Sequence, residues 1–228
     1  MNLVSAASPP AIVRHLRADE HALVTATGAR FVRLARDRQL LIRAVGRNPS
    51  QAKAVERLRY EERDDLEARL DIEAISAANA PPTGGVTTIR AAPAAKLLSW
   101  YREAERRFGI RWQLLAAINF VESDFGRAHT KAIADAQGPM QFEPATWRAY
   151  GMGGNVYDPH DAILAAANLL AANHGRTDEP RALAHYNPSP LYRDAVLHYA
   201  HRIQTVRFAF REYYAWKLYL RPTPAGRA

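Results

Sequence analysis

The stretch Trp112-Gln113-Leu114-Leu115-Ala116-Ala117-Ile118-Asn119-Phe120-Val121-Glu122 decides how this chain is to be read. Ten residues pass without a charge, and the first one met is Glu122. At helical spacing Glu122 shares a face with Leu115, Ile118 and Asn119, so the pattern predicts a buried helix with one carboxyl emerging near its end. Burial favours the protonated form of a carboxyl. In an apolar pocket its pKa rises to about 6, and the group then donates a proton near neutral pH. A carboxylate that merely caps or pairs at the helix end is the alternative.

Outward from that helix the same period recurs. The spacing predicts helices over Lys96–Phe108, Trp112–Val121, Ala162–Asn173, Arg181–Tyr186 and Leu191–His201, joined by loops containing Gly and Pro. Toward the N-terminus it predicts Ala11–Val24, Ala29–Val45 and one long, heavily charged helix from about Gln51 to Ala78, with a thin apolar stripe at Val55, Leu58, Leu66, Leu70 and Ile75. Asn48-Pro49-Ser50 supplies the break and cap before it. The fold class is mainly α. The run Ala80-Pro81-Pro82-Thr83-Gly84-Gly85 marks a linker. The expected organisation is a helical accessory segment (1–79), a Pro/Gly linker (80–92), a catalytic helical domain (93–201) and a basic aromatic extension (202–228). Two-residue alternation in Trp216-Lys217-Leu218-Tyr219-Leu220-Arg221 predicts a short C-terminal strand.

Composition narrows the classes. The chain has 228 residues, 48% hydrophobic and 24% charged, which excludes wholesale disorder. It contains no cysteine, so disulfides and thiolate metal sites are excluded. No apolar run reaches the roughly 18 residues of a membrane span, and Met1 to Ala11 lacks the basic start and apolar stretch of an export signal. The net charge is +8. Residues 91–201 carry 11 basic and 11 acidic side chains, a balance of zero; residues 1–90 carry 14 against 11 (+3) and residues 202–228 carry 6 against 1 (+5). The basic character lies in the flanks, where it attracts anionic polymers.

Three ordered motifs then bear on chemistry: Val121-Glu122-Ser123-Asp124-Phe125-Gly126-Arg127, Gln137-Gly138-Pro139-Met140-Gln141-Phe142-Glu143-Pro144-Ala145-Thr146-Trp147, and Ala184-His185-Tyr186-Asn187-Pro188. In order and spacing they resemble the motifs of lytic transglycosylases with a lysozyme-like fold of the soluble lytic transglycosylase type. The resemblance covers about Ala95 to His201 and extends more weakly into Tyr214–Tyr219, which looks like the tail of actinobacterial murein transglycosylases. It implies an enzyme that cleaves the bond between N-acetylmuramic acid and N-acetylglucosamine in peptidoglycan glycan strands and leaves a 1,6-anhydro sugar. Glu122 falls on the family's general acid and base. By the same resemblance Ser123 touches the substrate N-acetyl group, with a local helix-end hydrogen bond as the alternative. Met140 and Gln141 line the sugar groove, Tyr186 brings its hydroxyl near Glu122, and Asn187 binds a sugar or fixes its loop. Two positions and one short stretch depart from the family pattern: Glu143 where an apolar residue is usual, His185 in place of Ala, and Pro188-Ser189-Pro190 in place of Ala-Gly-Pro.

Hydrolysing glycosidases use two carboxylates across the scissile bond. Asp124 follows Glu122 by two residues, a spacing that points side chains apart on a helix. Nothing in the spacing of Asp135, Glu143 or Asp158 selects any of them. A lone carboxylate fits chemistry in which the substrate's own acetamido oxygen stabilises the developing charge. A hydrolytic muramidase of the goose-type lysozyme kind and a non-catalytic peptidoglycan-binding or scaffold protein are the alternatives.

The remaining signals read as structure. Asp158-Pro159-His160-Asp161 has the form of a helix start. Asp194, His198 and His201 share a helical face but offer no further local ligand, so no metal and no cofactor is expected. Gly151-Met152-Gly153-Gly154 lacks the Gly-Lys-Ser/Thr of a phosphate loop. The aromatic, basic tail from Arg202 to Arg221 reads as a packed closing segment; nucleic acid is not an expected partner, and the basic flanks suit anionic wall polymers. The accessory helices pack on the chain or meet a protein partner. The substrate implies a location outside the cytoplasmic membrane.

Overall fold

In a computed structural model the described residues are 8–57, 63–78, 86–130 and 136–218. They form eleven helices and two three-residue strands, with no helix long and apolar enough to cross a membrane. The chain is mainly α-helical, consistent with a lysozyme-like fold. Contacts divide it into two compact units, one made of residues 1–78 and 194–217, the other of 79–193 and 218–228. The expected boundary at 201/202 lies within the helix Pro190–Thr205, of which residues 194–205 belong to the first unit.

The first unit contains α1 (Pro9–Thr25), α2 (Gly28–Gly46), α3 (Pro49–Glu56), α4 (Arg63–Ala78), the end of α10 (Pro190–Thr205) and α11 (Ala209–Ala215). Asn48 caps α3 by accepting from the Gln51 amide at 3.1 Å, and Pro49 needs no donor partner at the first position. Where one long helix was expected over 51–78, α3 and α4 are separate, with residues 58–62 outside the described ones. Ile12, Leu16, Phe31, Ile42, Val45, Val55 and Leu66 bury the apolar faces.

Charges are buried among them as a balanced set. Arg38, 0% exposed, reaches Asp65 at 2.8 Å and Glu212 at 2.5 Å. Arg202 meets Asp65 at 2.8 Å and Glu212 at 3.2 Å, and Tyr213 donates its hydroxyl to Asp65. Two guanidinium groups and two carboxylates thus neutralise one another where water cannot.

The expected C-terminal strand is corrected. Trp216 has extended backbone, but its neighbour Lys217 pairs with a side chain: the Gln39 amide donates to Lys217 O at 2.8 Å and accepts from Lys217 N at 2.9 Å. Among the described residues, Lys217 therefore has the amide of Gln39 on α2 as its partner and not a strand. Residues 219–221 lie outside the described residues.

The second unit holds α5 (Ala94–Phe108), α6 (Trp112–Ser123), α7 (Pro144–Tyr150), α8 (Pro159–Ala172), α9 (Glu179–Tyr186) and the start of α10. Strands β1 (Val86–Thr88) and β2 (Ala128–Thr130) pair antiparallel, with Thr87 opposite His129. Neither strand was expected, since three residues are too few to show alternation. Leu114 to Asn119 of α6 and Ala162 to Ala167 of α8 are buried, and α5 packs on both helices. Asp158 caps α8, accepting from the amides of His160 and Asp161, as its sequence form predicts. Helix α7 has no fully buried residue, so no apolar stripe announced it.

Candidate active site

Helix α6 ends at Ser123, where Asp124 and Phe125 take positive φ of 51° and 61°. Glu122 sits in the last turn, half-buried, and its Oε1 accepts a hydrogen bond from the Tyr192 hydroxyl at 2.6 Å. Burial pushes its carboxyl up to about 7, against the smaller lowering effect of that hydrogen bond. The group is therefore balanced between acid and base near neutrality.

Around it the chain is fastened through one backbone carbonyl. Pro139 O accepts from the Asn119 amide at 2.8 Å and from the Ser123 hydroxyl at 2.5 Å, while Asn119 Oδ1 accepts from Tyr101 at 2.7 Å. Asn119 and Ser123 lie one turn apart on α6, so both reach the same oxygen. Ser123 also accepts from Gly126 N at 2.8 Å and is 1% exposed. Its hydroxyl thus holds the helix end to the Gly138–Gln141 loop.

The loop itself is closed by paired backbone bonds between Gln137 and Phe142, at 2.8 and 2.9 Å. Gly138, at φ +70°, passes so near Val156 that a Cβ would fall 1.8 Å from its carbonyl oxygen; no other residue fits there. Met140 is 0% exposed, and its carbonyl accepts from the Tyr186 hydroxyl at 2.6 Å. Gln141, at φ 51°, is half-buried and donates to Gly138 O at 2.8 Å.

Tyr186 was expected beside Glu122. The Glu122 charge does raise its pKa, after the larger effect of burial, but its hydroxyl bonds the loop. The tyrosine on the carboxyl is Tyr192, stacked on Tyr186 with ring centres 6.4 Å apart and planes 6° apart. Asn187 follows α9 and turns the chain: its Oδ1 accepts from Ser189 N at 3.0 Å, and Ser189 Oγ accepts from Tyr192 N at 3.3 Å. Asn187-Pro188-Ser189-Pro190 is thus a turn followed by a capped helix, and the first turn of α10 presents Tyr192. The signal available in sequence was that helix start, with an aromatic residue three positions after the capping Ser.

The other carboxylates considered in the sequence lie as follows. Asp124, also pushed up to about 7 by burial, meets Arg127 at 3.2 Å. Asp158 caps α8 and Glu143 is exposed; Asp135 lies outside the described residues.

Residues 99–202, a little under half of the chain, match the family model of the transglycosylase SLT domain. The matched stretch contains all three motifs and runs from within α5 to within α10. It supports a lytic transglycosylase of lysozyme-like fold whose substrate is peptidoglycan. No curated protein and no solved structure matches the chain.

Proposed function

We propose that this protein is a peptidoglycan lytic transglycosylase that cleaves the β-1,4 bond between N-acetylmuramic acid and N-acetylglucosamine and leaves 1,6-anhydro ends, with Glu122 as its acid and base. The observation that carries this reading is a half-buried carboxyl whose pKa lies about 7, held by Tyr192 at the end of an apolar helix. Protonated Glu122 gives its proton to the glycosidic oxygen as the bond to the muramoyl C1 breaks. The 2-acetamido oxygen of the same sugar shields the positive charge left at C1. Carboxylate Glu122 then takes the proton of the muramoyl 6-hydroxyl, whose oxygen closes on C1. The proton count balances and no water is consumed.

Tyr192 orients the carboxyl and moderates its basicity, while Asn119, Ser123, Met140 O and Tyr186 hold the loop that walls the site. Gln141 and Asn187, on the half-buried rim, are the sugar contacts within this reading. Residues 93–201 form the catalytic segment in it, the basic flanks meet anionic wall polymers, and the protein works outside the cytoplasmic membrane. The likeness of 214–219 to actinobacterial relatives belongs to the same proposal.

The test is digestion of purified peptidoglycan by the unaltered and Glu122→Gln proteins, with released muropeptides read by mass spectrometry. Anhydro products, lighter by one water than hydrolysed ones and absent with the variant, are expected. Reducing ends would instead mean a hydrolytic muramidase, and no release a peptidoglycan-binding or scaffold protein.

A further inference from the structure

Away from the Glu122 site, in the first unit, α4 and the end of α10 each place two metal-competent side chains one turn apart. Asp64 and Glu67 stand three residues apart on α4, as do His198 and His201 on α10. His198 faces both acids: Nδ1 lies 3.1 Å from Asp64 Oδ1 and Nε2 lies 3.2 Å from Glu67 Oε2. Asp64, Glu67 and His198 each offer one ligand atom, all within 4.8 Å of one another. Their side chains are 21%, 22% and 28% exposed, enough to leave a path from solvent.

We propose that Asp64, Glu67 and His198 bind one divalent transition-metal cation of the zinc class. A tetrahedral zinc ion with ligand bonds of roughly 2.0–2.2 Å needs ligand atoms about 3.3–3.5 Å apart, a few tenths of an ångström beyond the contacts already present. One ligand atom of each residue already lies within 4.8 Å of the other two, and closing the set to that distance takes a shift of the side chains, since the two acids now meet different nitrogens of the His198 ring. Two carboxylates and an imidazole suit zinc or manganese, whereas calcium takes six to eight oxygens. His201 supplies the outer support: its Nδ1 holds the second Asp64 oxygen at 2.5 Å, which fixes the carboxylate's direction.

The local charge favours a cation. Asp71 lies within reach of the charges of Glu67 and Asp194, so four acids converge on two imidazoles; Arg63 pairs with the other Glu67 oxygen. This acidic pocket sits in a chain of net charge +8. Bound there, the ion fastens α4 to α10 within the unit. The sequence view of Asp194, His198 and His201 as a local face lacked the two ligands from α4, more than 130 positions earlier in the chain for His198.

The test strips the full chain with a chelator, titrates zinc chloride calorimetrically at pH 7.5 and follows thermal unfolding. One equivalent is expected to bind, with a rise of several degrees in Tm at excess zinc. His198→Gln and Asp64→Asn should each weaken binding at least tenfold, while His160→Gln, beside Glu103 elsewhere in the chain, should leave it unchanged. Absence of saturable binding, or binding that survives His198→Gln, overturns the proposal and makes the cluster a hydrogen-bonded tie between helices. If the substituted chains do not fold, histidine ring nitrogen spectra of the unaltered protein decide: zinc must move the His198 resonance, and an unmoved resonance rejects the site.

Discussion

The two units bury charge in opposite ways. In the first, Arg38, Arg202, Asp65 and Glu212 enter the core together, so each carboxylate keeps a cation beside it and the set is structural, although burial outweighs the guanidinium groups and pushes the Glu212 carboxyl up. In the second, half-buried Glu122 has the Tyr192 hydroxyl as its partner among the described residues, and burial pushes its carboxyl up to about 7. Desolvation acts on both sites, and the presence or absence of a compensating cation determines whether it yields a rigid joint or a group that trades protons. A buried acid is thus informative only together with its partners.

Removing each centre should break a different property. Glu122→Gln is expected to lower glycan cleavage by at least about 10³-fold, the scale on which loss of an acid and base acts, while the folded helical spectrum persists. The same variant sharpens the contrast in stability. Glu122 binds its proton more tightly in the folded chain than at its ordinary 4.5, so its contribution is full below that pH and is lost as pH rises through about 7. The glutamine variant escapes that loss and should be more stable than the parent by about 3 kcal/mol at pH 8, with the difference vanishing near pH 4, as read from denaturant unfolding.

Arg38→Ala should do the reverse. It strands Asp65 and Glu212 beside a single guanidinium and should cost about 3–5 kcal/mol of stability, visible as a large fall in the urea midpoint. If that fall were under about 1 kcal/mol, the buried ionic set would not be the joint described.

Tyr192→Phe separates the tuning of Glu122 from its presence. The hydroxyl donates to the carboxylate and holds its pKa down, so its loss should move the alkaline limb of the activity profile to higher pH and cut the rate about tenfold through poorer orientation. Tyr186→Phe, which frees only Met140 O, should leave that limb in place. Smallest of all, Ser123→Ala removes one donor to Pro139 O and should cost about 1–2 kcal/mol of stability. An effect on KM alone, with stability unchanged, would return Ser123 to the substrate.

Much of this is legible in the sequence. Charge-free residues 112–121 announced α6 and the emergence of Glu122, and Asp158-Pro159 and Asn48-Pro49 announced two helix starts with their caps. Helix α7 escaped because none of its residues is fully buried, and the strand expected from the alternation of 216–221 meets, at Lys217, a side-chain amide of Gln39 in place of a neighbouring strand.

By itself the sequence determined the helical class, the faces that turn inward and the motif-bearing segment, since 3.6-residue periodicity and capping are set by neighbours a few positions away. Only the tertiary structure decided that Tyr192 and not Tyr186 bonds Glu122, that Ser123 turns inward onto Pro139, and that His198 meets Asp64 and Glu67. Each of those partnerships depends on how helices from distant parts of the chain pack, and helix spacing carries no record of which neighbour a face will meet.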